Sequence, residues 1–389
     1  MSEKIIKNKR LIEIFVYALL FRITIYLLYI VICLTSNQYN GGFSFADYFE
    51  AWVRWDATPY LDVAKYGYGH YQENGQHLYL VFLPMYPWLI KTVSFVVRNY
   101  QLSGLIVSTF SYSLGCVYLY KMVNKLYGDD VAINTIIMIS IYPFSFFMGG
   151  IMTEGLFFLL ASAFLYYLFE EKYYLVAFVG FIACLTKLQG GFLAFVVLVK
   201  LADNANIFKL IINKEIKKIW SDFLLPGLKC VPMLLGILVY LLINNKVDGN
   251  PFAFMRYQEE HWYHTVGPIW NTLKYMIEHC IGNRGKAVNA CIWIPQIVLL
   301  FLILVLILYA FKVKLDKSLI TYLIIFYLVT FSSTWLISGG RYAVSIIPMF
   351  ILLSIFVVKH PKVKQIVYTL SFGIMVVYMA AYFNWQQIM

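Results

Sequence analysis

The amino-acid sequence predicts an all-α, polytopic integral membrane protein from its composition, its apolar runs and the charges of its loops. The chain has 389 residues, of which 61% are hydrophobic and only 13% are charged, with a mean hydropathy of +0.71. A soluble globular domain has roughly a quarter of its residues charged. Apolar runs long enough to cross a bilayer, such as CIWIPQIVLLFLILVLILYA and SLITYLIIFYLVTFSSTWLI, recur along the chain. We therefore expect a single membrane domain over residues 1–389.

The apolar runs divide into about eleven predicted helices, the first of which is too long to be the core of a signal peptide. They lie near residues 11–34, 101–122, 131–149, 154–169, 173–186, 188–200, 222–243, 289–311, 318–337, 341–358 and 364–383. The fifth and sixth are shorter than the roughly 20 residues that a full span needs. We expect these two to be tilted, broken or wrongly divided.

Lysine and arginine residues set the orientation of the predicted helices, because cytoplasmic loops carry an excess of these cations. They precede the first helix at Lys4, Lys7, Lys9 and Arg10, and lysines cluster again near 121–125, 200–218, 312–317 and 359–364. This pattern predicts a cytoplasmic N-terminus and outer loops at residues 35–100 and 244–288. The same asymmetry explains the net charge of +11, so we expect no nucleic-acid partner.

The first outer loop contains two stretches of helical periodicity, WVRWDATPYLDVAKYGY and VFLPMYPWLIKTVSFVV, which predict juxtamembrane helices. Asp56 lies four residues before Tyr60, so the two side chains share one face of a helix. A carboxylate at an apolar interface is a candidate general base. The alternatives are that Asp56 is a helix N-cap or a solvated acid, and that Asp62 is the base.

Three further charged residues lie at the predicted outer ends of apolar helices. Glu154 opens the helix in IMTEGLFFLL, Lys187 lies in LTKLQGGF, and Arg341 lies in SGGRYAVSIIP. Ionisable groups at such a depth are costly and commonly functional, and the two cations suit an anionic ligand. The alternatives are a first-turn acid stabilised by the helix dipole for Glu154, and snorkelling to the interface for each cation.

The second outer loop, with DGNPFAFMRYQEEHWYH, combines a turn with aromatic and polar side chains that suit a sugar. His261 and His264 lack a third ligand, so we expect no metal site there. The six cysteines show no C-x-x-C spacing, and we expect isolated thiols rather than a bond between Cys280 and Cys291. The sequence shows no glycine-rich phosphate loop and no D-x-D pair, which argues against a site for a nucleotide and its metal.

Taken in order, these motifs resemble the PIG-V type mannosyltransferases, relatives of GPI mannosyltransferase 2. The matching stretches are RWDATPYLDVAKYGY, FLPMYP, TEGLFFLL, LTKLQGG, DGNPFAF with Gln258 and Trp262, and SGGRYAVSIIPMF, between Arg54 and Pro348. The resemblance implies a GT-C fold, in which a multi-helix membrane enzyme takes a sugar from a polyprenyl-phosphate donor. It also implies an acidic catalytic residue in the first outer loop.

The resemblance further implies roles for individual residues. Catalysis falls to Asp56 and Glu154, and donor phosphate or sugar binding to Arg341, Lys187, Arg54, Tyr60, Tyr68 and Gln258. No cofactor and no metal dependence are expected, since the lipid-linked sugar is itself a substrate. The chain departs from the family pattern at two positions, with Lys187 where we expect arginine and Gly340 where we expect proline or a polar residue.

The resemblance therefore implies an inverting sugar transfer, with mannose as the expected sugar, from a polyprenyl-phosphate (dolichyl-phosphate-like) donor to a glycan or lipid-linked acceptor on the outer face of the cell membrane. The lack of N-x-S/T sequons and of a retention tail favours a bacterial membrane over the endoplasmic reticulum. A transporter or lipid flippase would instead need polar groups near the bilayer midplane. A non-catalytic scaffold would leave the outer charges dispersed. Convergence of those charges within reach of one sugar would favour the transferase.

Overall fold

The computed structural model of the protein describes residues 2–35 and 45–388. The beginning of the predicted first outer loop, residues 36–44, lies outside the described residues. Within the described ranges the chain is helical, with two isolated β-bridges and no longer strand. The prediction of an all-α membrane protein is confirmed. All six cysteines are free thiols, as expected.

The described residues form twenty α-helices, joined in places by short 3₁₀ or π turns. The first nine are α1 Ser2–Thr35, α2 Phe45–Glu50, α3 Ala57–Tyr66, α4 Met85–Val97, α5 Tyr100–Tyr127, α6 Asp129–Ser140, α7 Glu154–Phe169, α8 Tyr173–Thr186 and α9 Leu193–Asn204. The others are α10 Ile207–Ile212, α11 Ile216–Ile219, α12 Leu225–Cys230, α13 Leu235–Asp248, α14 Ala253–Trp262, α15 Ile269–Gly282, α16 Ile294–Lys312, α17 Lys317–Phe331, α18 Gly339–Tyr342, α19 Ile347–Lys359 and α20 Pro361–Phe383.

Within the described ranges, five continuous helical stretches are long and apolar enough to cross a membrane. They are Asn8–Thr35, Tyr100–Tyr127, Ile216–Asp248, Asn289–Lys312 and Pro361–Phe383. A sixth span results if α18 and α19, bent by 80° at their junction, are taken together. Four shorter apolar helices, α4, α7, α8 and α17, lie among them. Each predicted membrane segment therefore contains a helix, while the total of about eleven spans stays a prediction.

Two predicted helices end earlier than expected. The helix predicted over 131–149 ends at Ser140, because Pro143 disfavours helical backbone at the residue before it. Residues 141–153, here called the 141–153 segment, contain only a 3₁₀ turn at Ser145–Met148. The helix predicted over 318–337 likewise ends at Phe331, where a run of hydroxyl side chains follows.

Helix α5 lies at the centre of the bundle and packs against α1, α4, α6 and α7. Small residues on α5 make this packing close. A Cβ atom at Gly115 would lie 2.7 Å from the ring of Phe158 on α7, so any larger residue there would push the two helices apart. This close contact holds α7, which begins at Glu154, against α5.

Ion pairs tie the helix ends together on the predicted cytoplasmic side. They join Lys125 to Glu170 at 2.8 Å, Lys200 to Asp316 at 2.8 Å, and Lys317 to Asp203 at 2.5 Å. Glu154 begins α7, at the end opposite Glu170, and Lys187 follows α8, which begins shortly after that ion pair. Arg341 precedes α19, whose other end is Lys359. The predicted outer charges occur at those opposite ends.

Candidate active site

Asp56 occupies the N-cap position of α3, at a sharp change in chain direction. The preceding residue, Trp55, has a φ of 51°, a left-handed conformation that is uncommon for a bulky residue and often found at functional sites. The Asp56 carboxylate makes no capping hydrogen bond to the helix. Its Oδ2 instead lies 2.7 Å from Nη2 of Arg341. The N-cap alternative therefore does not account for this carboxylate.

Arg341 is held by close packing around two glycines that precede it. The N–H of Gly339 donates to Oε1 of Gln296 at 2.8 Å, and the carbonyl of Gly340 accepts from the Tyr142 hydroxyl at 2.9 Å. A Cβ atom at Gly340 would overlap the ring of Phe144. This packing is the physical reason why glycine stands where we expected proline or a polar residue.

Glu154 lies between the two cations. Its Oε1 is 2.9 Å from Nζ of Lys187 and 3.6 Å from Nε of Arg341. The Lys187 backbone is extended where α8 ends, and this conformation turns the chain into the Leu188–Phe192 turn. The Glu154 side chain is 3% exposed, that of Lys187 is 11% exposed and that of Arg341 is 7% exposed. All three therefore lie inside the protein, and the two cations do not snorkel to its surface.

The four charges therefore form one alternating row, Asp56, Arg341, Glu154 and Lys187, here called the charge row. Two acids balance two cations, so each charge in the row has an opposite charge beside it that offsets the cost of burial. The contacts within the charge row do not satisfy all the hydrogen-bond donors of Arg341. Nη1 faces the thioether of Met152 at 3.0 Å, a weak acceptor, and Nε makes no hydrogen bond within the described residues. An anion with several oxygens would satisfy these donors.

Tyr60 lies beside the charge row, as its spacing from Asp56 predicts. It is buried, with its ring edge-on to Phe82 at 5.1 Å and to Tyr86 at 5.3 Å. Burial, followed by the nearby carboxylates of Asp56 and Glu154, raises the pKa of Tyr60 well above its ordinary value. The phenol therefore stays neutral and keeps a proton that it can donate.

Arg54 and Tyr68 make structural contacts away from the charge row. Arg54 donates to the carbonyls of Ala51 at 2.9 Å and Phe383 at 3.0 Å, and its guanidinium lies 3.8 Å from the ring centre of Trp385. The Tyr68 hydroxyl donates to a carbonyl of its own loop at 2.6 Å. These contacts fasten the first outer loop, and the expected donor contact of Arg54 and Tyr68 stays a prediction.

Gln258 and Asp62 also lie apart from the charge row in the contacts that the structure shows. Gln258 is half-buried on α14, and its backbone carbonyl accepts a hydrogen bond from the backbone N–H of His264 at 3.0 Å. Asp62 accepts from the Tyr79 hydroxyl at 3.4 Å. Of the two aspartates considered as the base, Asp56 is the one that contacts the other predicted site residues.

His264 is a neighbour of the site that the sequence did not single out for catalysis. Its Nδ1 lies 3.2 Å from the Ser333 hydroxyl, where the second outer loop joins the chain that follows α17. Burial lowers the pKa of His264, and the charges of Arg341 and Asp56 act on it in opposite directions. His261 instead pairs with Gln76 at 2.5 Å, so the two histidines do not share a site. Only their possible use as metal ligands was visible in the sequence.

Comparisons with known proteins agree with the predicted resemblance. The family model described as dolichyl-phosphate-mannose-protein mannosyltransferase matches residues 83–221. GPI mannosyltransferase 2 of Schizosaccharomyces pombe is 26% identical over 152 residues, which cover 38% of this chain and 32% of that protein. The chain thus spans about a third of the length of this curated relative.

Two solved structures show partial similarity in shape. The undecaprenyl phosphate complex of ArnT from Cupriavidus metallidurans has a TM-score of 0.49 at 15% identity, over 78% of this chain and 55% of the other. The oligosaccharyltransferase of Archaeoglobus fulgidus has a TM-score of 0.46 at 12% identity, over 94% of this chain and 53% of the other. The resemblance to membrane mannosyltransferases predicted from the motifs is confirmed by the two sequence comparisons.

Proposed function

We propose that this chain is a membrane glycosyltransferase that moves mannose from a polyprenyl-phosphate donor to an acceptor hydroxyl, with inversion at the anomeric carbon. The charge row carries the proposal, because its consecutive side chains lie 2.7, 3.6 and 2.9 Å apart. A partly accessible acid beside two buried cations supplies a base and a phosphate site. The family-model match over residues 83–221 supports mannose as the sugar and a phosphate-linked lipid as its carrier.

In the proposed reaction, Asp56 accepts the proton of the acceptor hydroxyl while the hydroxyl oxygen forms a bond to the anomeric carbon. The bond between that carbon and the phosphate oxygen breaks, and its electron pair leaves with the lipid phosphate. Arg341 and Lys187 stabilise the charge that grows on this leaving group. No nucleotide takes part, and the two cations supply the positive charge that the phosphate needs.

Exposure favours Asp56 over Glu154 as the base. The Asp56 side chain is 27% exposed and can meet an incoming hydroxyl, whereas that of Glu154 is 3% exposed and lies between two cations. We therefore propose that Glu154 holds Lys187 and Arg341 at the spacing that a phosphate requires. The neutral phenol of Tyr60 is placed to donate a hydrogen bond beside Asp56.

We place the reaction on the outer face of a cell membrane, with the N-terminus in the cytoplasm. The charge row lies at the helix ends opposite the paired lysines near Lys125, Lys200 and Lys317. Lysine-rich ends are typically cytoplasmic. A transporter would need polar groups near the bilayer midplane, and the location of the charge row at helix ends does not favour that alternative. The polyprenyl chain would lie between apolar helices, and the acceptor would be a glycan or a lipid-linked sugar.

Transfer of label tests the proposal. We expect the protein in lipid nanodiscs, given radiolabelled polyprenyl-phosphate mannose and a membrane extract as the acceptor source, to form a labelled product other than the donor. Asp56→Asn should remove this product, and Asp62→Asn is the matched control on the same helix. In sealed proteoliposomes, movement of intact labelled lipid across the bilayer, with no cleavage, would show a flippase and overturn the proposal.

A further inference from the structure

The 141–153 segment connects α6 to the charge row although its backbone is irregular and buried. Phe146, Phe147 and Met148 are at most 2% exposed. The segment delivers Met152, which contacts the Arg341 guanidinium, and it leads directly into Glu154. Irregular backbone within a membrane protein is tolerated only where its polar groups find partners inside the protein. The donors that reach these carbonyls therefore determine where the segment lies.

Arg22 is the first of these donors. It lies on the membrane-spanning helix α1, its exposure is 0%, and its Nη1 donates to the Ser145 carbonyl at 2.7 Å. The guanidinium lies 3.7 Å from the ring centre of Tyr112, and its Nε and Nη2 make no hydrogen bond within the residues that the structure describes. Placing the charge of an arginine within a membrane helix costs free energy. Here its hydrogen bond serves the backbone of the 141–153 segment.

Tyr26 follows one helical turn later on the same face of α1. Its hydroxyl donates to the Gly149 carbonyl at 2.7 Å and shares a hydrogen bond with Thr109 at 2.6 Å. A Cβ atom at Gly149 would lie 3.3 Å from the Tyr26 hydroxyl and 3.4 Å from Cδ of Arg22. The absence of a side chain at Gly149 thus allows both α1 residues to approach the segment closely.

Two more hydroxyl groups continue the pattern from other helices. The Tyr86 hydroxyl reaches the Gly150 carbonyl at 3.5 Å, and the Ser108 hydroxyl reaches the Met152 carbonyl at 3.4 Å. These two side chains also hydrogen-bond to each other at 2.8 Å. Polar side chains therefore donate to backbone carbonyls of the segment from Ser145 to Met152, the residue that contacts Arg341. The shortest of these hydrogen bonds come from α1.

We propose that Arg22 and Tyr26 are positioning residues for the transfer reaction proposed above. They hold the 141–153 segment at the depth that sets Glu154 against its two cations, although neither touches the charge row. This inference rests on the proposed function, because its effect is a change in the rate of transfer. A displacement of about 1 Å at reacting groups can cost about a hundredfold in rate.

Tyr26→Phe is the sharpest test, because it removes one hydroxyl and leaves the ring packing in place. In nanodiscs, with transfer measured per folded protein, we expect kcat to fall about tenfold to a hundredfold and the KM for the donor to change much less. Arg22→Lys should keep part of the activity, since an ammonium can still donate to one carbonyl, and Arg22→Met should lose more. Tyr118→Phe is the matched control, because it breaks a tyrosine pair at 2.9 Å that joins α5 to the end of α7 opposite Glu154.

A double-mutant cycle separates positioning from a loss of general stability. If Tyr26 acts through Glu154, the combined Tyr26→Phe and Glu154→Gln variant should lose less activity than the product of the two single losses. Independent losses that simply multiply, or a Tyr26→Phe variant with wild-type kcat per folded protein, would overturn the inference while wild-type transfer is intact. A wild-type protein that transfers no sugar would overturn the proposed function, and with it this inference.

Discussion

Replacement of Asp56 by asparagine should have opposite effects on catalysis and on donor binding. The amide keeps the shape of the side chain but cannot accept the acceptor proton, so turnover should fall about 100-fold to 10,000-fold. Donor binding should improve, because the Asp56 carboxylate and a phosphate compete for one guanidinium. Arg341 Nη2 lies 2.7 Å from the Asp56 oxygen, and the substitution releases it for the donor.

The size of the binding effect follows from the burial of the ion pair. The Arg341 side chain is 7% exposed and that of Asp56 is 27% exposed. Exposed ion pairs contribute up to about 1 kcal/mol, and breaking a fully buried pair costs about 3–5 kcal/mol. Solvent at Asp56 places this pair between the two cases, at about 1–2 kcal/mol, which is a factor of about 5 to 30 in affinity. The donor Kd should fall by that factor.

The two effects require separate measurements on the same preparation. Binding of radiolabelled polyprenyl-phosphate mannose to protein in nanodiscs gives the Kd, and release of labelled product gives the turnover. Asp62→Asn, on the same helix, should leave both quantities close to those of the wild type. Turnover near the wild-type value in Asp56→Asn at equal abundance would show that another group is the base. Loss of donor binding in that variant would show that Asp56 orients Arg341 rather than competing for it.

Three further predictions follow from the same geometry. Arg341→Ala should lose donor binding and transfer, and Arg341→Lys should keep only part of both, as measured by Kd and turnover. The reason is that a guanidinium holds two phosphate oxygens, whereas an ammonium acts as a point charge. Gly340→Ala should lower the free energy of unfolding by about 1–3 kcal/mol through overpacking, measured as a lower Tm in detergent, and an unchanged Tm would contradict the packing argument. Cysteines introduced at Gln72 and Asn250 should react with an impermeant reagent added to intact cells while one at Asn213 should not, and the reverse pattern would overturn the orientation.

The sequence predicted those parts of the fold and the candidate site that depend on local pattern. Helices α7 and α8 begin and end where the predicted segments 154–169 and 173–186 do, because charges and turn residues interrupt their apolar runs. The same interruptions singled out Glu154, Lys187 and Arg341, which the structure brings into one row with Asp56. A charge within an apolar sequence is costly wherever the chain folds, so it can be recognised without tertiary information.

Features that depend on distant contacts could not be predicted in this way. Arg54 donates to the carbonyl of Phe383, a residue 329 positions away, and its motif did not indicate this contact. The role of Arg22 depends on the carbonyl of Ser145, in a segment that the apolar pattern assigned to a helix. His264 comes near the site where the chain after α17 pairs with the second outer loop. Spacing along a sequence does not record such contacts.

The order of charges in the row suits a reaction that moves charge without changing its total. When a phosphodiester donor loses its sugar, the lipid phosphate gains one negative charge, and in the proposed mechanism Asp56 loses one by accepting a proton. Arg341 contacts Asp56 through Nη2, while Nη1 faces only the weak acceptor of Met152 and Nε makes no hydrogen bond within the described residues. It can therefore strengthen its hold on the phosphate as its attraction to Asp56 weakens. Glu154 keeps Lys187 beside this exchange, so a second cation faces the growing charge while the total charge of the row and the phosphate stays the same.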